Sequence, residues 1–248
     1  MEKHDLLRRA EDLLARSRRS SNLTHTGFLS PAEQFALEGW AARTPGCRML
    51  LHGGGEDCER RAAFFLPDWM DEESFDPAEY LSALRLTAFF GEPGHRDYLG
   101  AILAMGIGRE WLGDIRIDGS TAWVFCMPSV LRHLLSLDQV GRVSVRAEEL
   151  PLDQVPRPER KVEERSFSVM SLRLDAVAAG MFHLSRTEAA RLIEAGALSL
   201  NYEICLKTDQ SVRAGDVISL RGAGKGKISG TGGVSRKGRL FVYTEICT

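Results

Sequence analysis

The sequence has no apolar run of eighteen residues, and its N-terminal segment is charged and amphipathic, unlike the apolar core of a signal peptide. A membrane-spanning helix and a membrane partner are therefore not expected. The five cysteines are odd in number and include no C-x-x-C pair, which argues against both a disulfide framework and a zinc ribbon. We expect a cytoplasmic protein that holds no metal.

Nucleotide-binding motifs are also missing. The sequence contains no G-x-x-x-x-G-K-[ST], and its glycine-rich segments at 222–227 and 230–233 do not fit G-x-G-x-x-G. Gly53 to Gly55 precede a predicted helical turn at 56–61, but Glu56 and Asp57 would repel an anion there. No cofactor is predicted.

Charge is distributed unevenly along the 248 residues, which have a net charge of −2. Residues 1–165 hold 21 basic and 27 acidic side chains, whereas residues 207–239 hold eight basic and two acidic ones. A basic segment on an acidic body is typical of a nucleic-acid contact. The length allows two or three domains.

An N-terminal α/β domain is predicted over 1–76. Apolar spacing indicates a helix over 4–16, which the basic, serine-rich segment 17–21 should end as a solvated loop. Ser30, Pro31 and Glu33 form a capping box with proline at the first helical position, so a second helix begins there. Two short strands are expected at 48–51 and 63–66, before the acidic, turn-rich boundary at 71–77.

The middle region, 77–150, is predicted to be a βαββαβ unit. This order is that of a ferredoxin-like domain, and it is shared by the RNA-recognition motif (RRM). Trp123 and Phe125 alternate as base-stacking residues would, but their surroundings do not match the RRM signature, so packing within the protein is the favoured role. His95 and Asp97 are interpreted as a helix cap rather than an acid–base pair. The predicted elements are strand 83–89, helix 96–105, strand 115–117, strand 122–126, helix 128–137 and strand 142–146.

A proline-rich, charged linker is predicted over 151–165, followed by a C-terminal domain over 166–248. Leu174, Val177, Ala178 and Met181 share one helical face, which leaves Arg173 and Asp175 outside it. Ser185 and Glu188 form a capping box for a second helix.

A small sheet should follow these two helices. Gly196 occupies the position of a left-handed helix cap, and 197–200 and 217–220 alternate as strands do. The basic glycine-rich segments at 222–227 and 230–233 are expected to be flexible, and a final strand at 240–243 closes the sheet. The overall fold class is thus α+β.

The motifs of this domain are R-L-D at 173–175, S-R at 185–186, L-I-x-x-G at 192–196, Asn201 and G-D-x-I-S at 215–219. They resemble the S-four (αL) RNA-binding domain over about fifty residues. The resemblance implies that the second helix presents its N-terminal end and outer face to structured RNA. For any single one of these residues, a solvated surface position or a helix cap is the alternative. The resemblance nominates as RNA-binding residues Arg173, Ser185, Arg186, Thr187, Arg191, Asn201, Tyr202 and Lys207, and the further candidates are Arg221, Lys225 and Lys227.

A wider resemblance covers nearly the whole chain. FLSPAEQ at 28–34, the glycine-rich region at 54–59, HRDYLGAILAMGI at 95–107, GDI at 113–115 and SLRGAGK at 219–225 are similar to the YlmH family of bacterial RNA-binding proteins. The resemblance implies a ferredoxin-like RNA-binding middle domain and association with ribosomal RNA (rRNA) or ribosome-bound tRNA.

The leading hypothesis is a non-enzymatic protein that binds structured RNA on the ribosome, at the large subunit. The alternative is an RNA-modifying enzyme, a pseudouridine synthase or rRNA methyltransferase with an S-four targeting module. Arg173, Leu174 and Asp175 imitate a pseudouridine synthase motif, but they lie inside the S-four helix and no catalytic domain follows. A protein-interaction adaptor would leave the basic C-terminal segment without a partner. The sequence leaves the oligomeric state open.

Overall fold

The computed structural model describes residues 3–158, 162–234 and 238–247. The chain forms two compact units, Met1–Pro158 and Glu159–Thr248, which we call the N-terminal and C-terminal units. The predicted division of the first unit at residue 76 stays a prediction. Of the predicted linker, residues 152–154 form a short 3-10 helix and 162–165 already belong to a strand, while 159–161 lie outside the described residues.

The N-terminal unit begins with two helices against a small antiparallel sheet of strand order β1-β3-β2. Leu6 of the first helix, Leu37 of the second and Phe65 of the sheet are fully buried together. The apolar faces of the two helices therefore cover the sheet. The elements are α1 (Lys3–Ser20), β1 (Thr24–Leu29), α2 (Pro31–Ala41), β2 (Met49–His52) and β3 (Arg61–Phe65).

Helix α1 runs further than the sequence predicts. The expected break at 17–21 is wrong, because Ser17 is buried and its hydroxyl donates to the carbonyl of Phe65 at 3.1 Å. The helix continues to Ser20, and Ser21 then adopts a positive φ of 53°. The predicted capping box of α2 is present, with Ser30 and Glu33 bonded reciprocally.

A five-stranded antiparallel sheet follows, with strand order β5-β6-β4-β8-β7. Helices α3 and α4 pack on one face, where Leu84, Tyr98, Ile102 and Leu134 are fully buried. The order of elements is β-α-β-β-α-β with a two-residue strand added before the last; the ferredoxin-like assignment itself stays a prediction. The elements are β4 (Ser82–Ala88), α3 (His95–Ala104), β5 (Leu112–Asp118), β6 (Thr121–Cys126), α4 (Pro128–Leu134), β7 (Gln139–Val140) and β8 (Val143–Leu150).

The opposite face of this sheet packs against the glycine-rich segment of the same unit. Phe125 is fully buried, and the guanidinium of Arg116 lies 5.0 Å from its ring centre. Gly54, at φ +96°, approaches that ring so closely that a Cβ would lie 2.5 Å from it. The glycines at 53–55 thus permit close packing on Phe125. The prediction of a helical turn at 56–61 is wrong, because this segment contains no helix and Arg61 already begins β3.

The C-terminal unit packs two helices on one face of a six-stranded antiparallel sheet of order β11-β10-β12-β13-β14-β9. Val177, Met181 and Ile193 of the helices meet Ile228 and Val242 of the sheet, and all five are fully buried. The elements are β9 (Val162–Val169), α5 (Leu174–Met181), α6 (Arg186–Glu194), β10 (Leu198–Leu200), β11 (Glu203–Ile204), β12 (Val217–Leu220), β13 (Gly224–Val234) and β14 (Leu240–Cys247).

The glycine-rich segments form a strand rather than the flexible stretch that the sequence predicts. Residues 224–227 and 230–233 lie in β13, between β12 and β14, and residues 222–223 form the turn before it. A Cβ at Gly226 would lie 2.5 Å from the sulfur of Met181, so this glycine lets α5 approach the sheet. The predicted final strand is present as β14, but it is flanked on both sides, because β9 pairs along its other edge.

Candidate RNA-binding site

Helix α6 starts at an exposed serine cap. Ser185 is extended, and its hydroxyl oxygen accepts from the backbone N–H of Glu188 at 3.1 Å. This is the serine half of the predicted capping box. Gly196 ends the helix at φ +68°, as predicted. The first N–H groups of the helix therefore lie at the surface, where the helix dipole favours an anion.

A buried carboxylate joins the starts of α5 and α6. Asp175 is 7% exposed, and it accepts from Nε and Nη2 of Arg173 at 3.1 and 3.2 Å and from Nε of Arg186 at 3.2 Å. The two arginine side chains themselves remain 39% and 58% exposed. The prediction from helical spacing that Asp175 lies outside the buried face is therefore wrong.

The electrostatics of this cluster depend on both arginines. Burial alone would raise the pKa of Asp175, but the hydrogen bonds and charges of Arg173 and Arg186 hold that pKa below its ordinary value. Asp175 is therefore ionised at neutral pH, and it fixes two guanidinium groups at the solvent boundary. We call Arg173, Asp175 and Arg186 the arginine fork.

The outer face of α6 is polar and exposed. Thr187 and Arg191, four residues apart, are both exposed, while Ala189 and Ile193 on the other side are fully buried. The structure thus places Thr187 and Arg191 on one exposed face of α6, whereas Arg186 lies at the start of the helix, where Asp175 joins it to Arg173.

Asn201 and Tyr202 form the two-residue turn of the β10–β11 hairpin. Both have positive φ, 50° and 70°, as such a turn requires. The side-chain amide of Asn201 donates to Asp216 at 2.9 Å, and its carbonyl oxygen accepts from the N–H of Val217 at 2.9 Å. Asn201 thus has a clear role in holding the turn against the sheet, and its RNA contact stays a prediction.

The loop that carries Lys207 is tied to the start of α5. The N–H of Asp175 donates to the carbonyl of Thr208 at 3.0 Å, and the N–H of Leu174 donates to that of Gln210 at 2.8 Å. Lys207 is exposed and directly precedes these contacts. It therefore belongs to the same region as the arginine fork.

The remaining candidates lie elsewhere in the C-terminal unit. Lys225 and Lys227 alternate with Gly226 and Ile228, which face the helices, so both lysines lie on the opposite face of the sheet. Arg221 is exposed at the end of β12, where its N–H bonds to the carbonyl of Ala197. The eleven predicted residues are thus divided between the helix side, the connecting turns and the outer face of the sheet.

Sequence reasoning missed Asp175 as the anchor of two arginines. An acidic residue in the first turn of a helix, two positions after an arginine, is a local signal for the contact between Arg173 and Asp175. The contact with Arg186 depends on how α5 and α6 approach each other.

Among residues 3–158, 162–234 and 238–247, no cluster of three or more His, Cys, Asp or Glu side chains could hold a metal ion. None of the helices described is long and apolar enough to cross a membrane.

Comparison with known protein families identifies two RNA-binding domains. Residues 77–154 match the family described as "Putative RNA-binding domain in YlmH", and residues 172–218 match the S4 domain, written above as S-four. The protein is thus of a class with two RNA-binding domains in tandem. More specifically, it carries the YlmH RNA-binding domain followed by an S-four domain, so the resemblance predicted from the sequence is confirmed.

Two relatives extend the likeness over much of the chain. A Bacillus subtilis (strain 168) protein, "Ribosome-associated protein quality control protein P2", is 28% identical over 221 residues, which cover 89% of this chain and 86% of that protein. The solved structure of "Cell division protein ylmH from Streptococcus pneumoniae" matches with a TM-score of 0.52 at 21% identity, covering 63% of this chain and 96% of the other. The second likeness supports the fold alone.

Proposed function

We propose that the protein binds structured RNA on the ribosome, through rRNA, ribosome-bound tRNA or both, at the large subunit in the cytoplasm, and that it catalyses no reaction on this RNA. The observation that carries the proposal is the arginine fork beside the exposed start of α6. The B. subtilis relative, whose name describes it as ribosome-associated, supports the ribosome as the location.

The geometry of the fork suits a phosphate backbone. Asp175 restrains Arg173 and Arg186, so less side-chain entropy is lost when they bind RNA. Planar guanidinium groups match phosphate oxygens, and the first N–H groups of α6 add donors of fixed direction. Arg191 supplies a further positive charge on the exposed face of the same helix. Such contacts position an RNA helix without reading its bases.

The YlmH domain at 77–154 is proposed as a second RNA contact. Base stacking on Phe125 is excluded from this proposal, because the ring is fully buried. The contribution of this domain to RNA binding would instead come from its exposed polar and basic side chains.

The environment of Asp175 supports the non-enzymatic reading. Pseudouridine synthesis requires an aspartate that can reach the substrate base, whereas Asp175 is 7% exposed and bonded to two arginines. The direct check is to incubate the protein with rRNA and S-adenosylmethionine and to measure the RNA by mass spectrometry and pseudouridine-selective labelling. We expect unmodified RNA; a new methyl group or pseudouridine would contradict the proposal.

Binding is tested by sedimenting the full-length protein with purified ribosomal subunits. We expect it to pellet with the large subunit, and Arg191→Glu to weaken this association at least about tenfold. Arg8→Glu, an exposed reversal on α1, is the matched control and should have little effect. Binding to the small subunit alone, or equal losses from both variants, would contradict the assignment.

A further inference from the structure

The sheet of the C-terminal unit has an outer face, opposite α5 and α6, that carries two exposed aromatic rings. In β14, Val242, Thr244 and Ile246 are buried toward the helices, so the alternating residues Phe241 and Tyr243 lie on the outer face. They are 39% and 46% exposed. We call them the aromatic pair.

Small residues on both neighbouring strands leave the aromatic pair uncovered. Tyr243 pairs with Gly230 of β13 and with Ser166 of β9, and Phe241 pairs with Ser168 of β9. A Cβ at Gly232 would lie 2.9 Å from the Tyr243 ring and 3.3 Å from the Cβ of Phe241. The glycines of β13 therefore allow the Tyr243 ring to lie close against the backbone.

Charged residues surround the aromatic pair on the same face. Lys225 and Lys227 lie on β13, and Arg239 precedes Phe241 by two residues, with its guanidinium bonded to the hydroxyl and carbonyl oxygens of Ser168. Glu245 lies opposite Lys227, and Glu164 lies opposite Glu245. Three basic and two acidic side chains leave the face with a small positive excess, and aromatic rings with nearby cations are typical of single-stranded nucleic-acid sites.

A groove connects this face with the arginine fork. It has a volume of about 320 Å³, lies between α5 and the edge strand β9, and is lined by Arg186 and by Arg239. One arginine of the fork and the arginine next to the aromatic pair therefore line the same groove, and the side chains between them are mostly apolar. Both β13 and β14 lie entirely beyond residue 218, where the match to the S-four domain ends.

We propose that the outer face is a second RNA site, at which unpaired bases stack on Phe241 and Tyr243 while the backbone is held by the basic residues around them. The inference rests on the proposed function, since the single-stranded RNA would continue from RNA bound at the arginine fork. Stacking on aromatic rings tolerates any base, so the site selects unpaired structure rather than sequence.

The test compares two fluorescent probes by anisotropy with the full-length protein: a single-stranded adenosine RNA of about twelve nucleotides, a length within the usual range of such sites, and a blunt RNA duplex of the same length. Phe241→Leu with Tyr243→Leu keeps apolar side chains but removes both rings. We expect it to weaken single-strand binding about tenfold and duplex binding less than about twofold. Arg191→Glu should instead weaken duplex binding more than single-strand binding.

Two matched variants sharpen the result. Exchanging the rings, Phe241→Tyr with Tyr243→Phe, should preserve single-strand binding. Phe35→Leu removes an exposed aromatic ring of α2, outside residues 77–154 and outside the C-terminal unit, and should leave binding to both probes unchanged.

Unchanged single-strand binding in the double leucine variant would overturn this inference, and the proposed function would stand if Arg191→Glu still weakened duplex binding. Failure of the wild-type protein to bind either probe or ribosomes would overturn both. A double leucine variant that binds both probes normally but no longer self-associates in sedimentation would show that the aromatic pair contacts a second copy of the chain instead.

Discussion

Arg186 of α6 donates from Nε to Oδ2 of Asp175 in α5 at 3.2 Å, so one exposed arginine binds a carboxylate that is itself buried. The arginine is both a candidate RNA contact and a structural link between two helices. Arg191, five residues further along α6, is exposed without this link to Asp175. The two arginines should therefore respond differently to the same substitution.

Charge reversal separates these two roles. Arg186→Glu would place a second carboxylate beside Asp175, and we expect it to destabilise the C-terminal unit by about 1–2 kcal/mol, since much of Arg186 is screened by solvent. Arg191→Glu should change stability by less than about 0.5 kcal/mol, as exposed substitutions usually do. Hydrogen exchange in peptides covering α5 and α6 measures both values. Equal stability of the two variants would show that the Asp175 contact is energetically unimportant.

Salt dependence tests the phosphate contacts directly. If about five phosphates are neutralised, the logarithm of the RNA-binding constant should fall with log salt at a slope of roughly −4 to −5. Arg191→Ala should reduce the steepness of this slope by about one, because one phosphate contact is lost. The exposed control Arg8→Ala should leave it unchanged. A wild-type slope near zero would contradict an electrostatic contact.

Local patterns in the sequence are sufficient to predict α5 and α6, because apolar spacing and the Ser185 cap depend on neighbours a few residues away. The fork contact between Asp175 and Arg186 escapes prediction because it depends on the tertiary approach of two helices. Strand β13 was expected to be flexible because of its glycines; pairing with β12 and β14 overrides that weak local preference. Alternation in β14 predicts that Phe241 and Tyr243 share one face of the strand. It does not predict which face is exposed, because that depends on where the helices pack.

The Asp175 cluster should make stability depend on acidic pH. Its folded pKa is lowered, so the unfolded state binds more protons near an unfolded pKa of about 3.9. The stabilisation is present above that value and is lost as the pH falls through the folded pKa. Asp175→Asn should therefore cost about 2 kcal/mol near pH 6, and the difference from wild type should shrink below about pH 4. A difference in hydrogen-exchange stability that stays constant down to about pH 3 would contradict this account.

Two helical glycines should respond in opposite directions to alanine. Gly180 lies within α5, where a Cβ would overlap the ring of Phe167 in β9, whereas Gly100 lies exposed within α3 with nothing within 4 Å of its Cβ position. Gly100→Ala should stabilise its unit by about 0.5–1 kcal/mol, because alanine favours the helix. Gly180→Ala should instead destabilise by about 1–3 kcal/mol, since the overlap forces α5 away from the sheet. Hydrogen exchange in α3 and α5 measures both changes, and a stabilised Gly180→Ala protein would mean that Phe167 moves aside without cost.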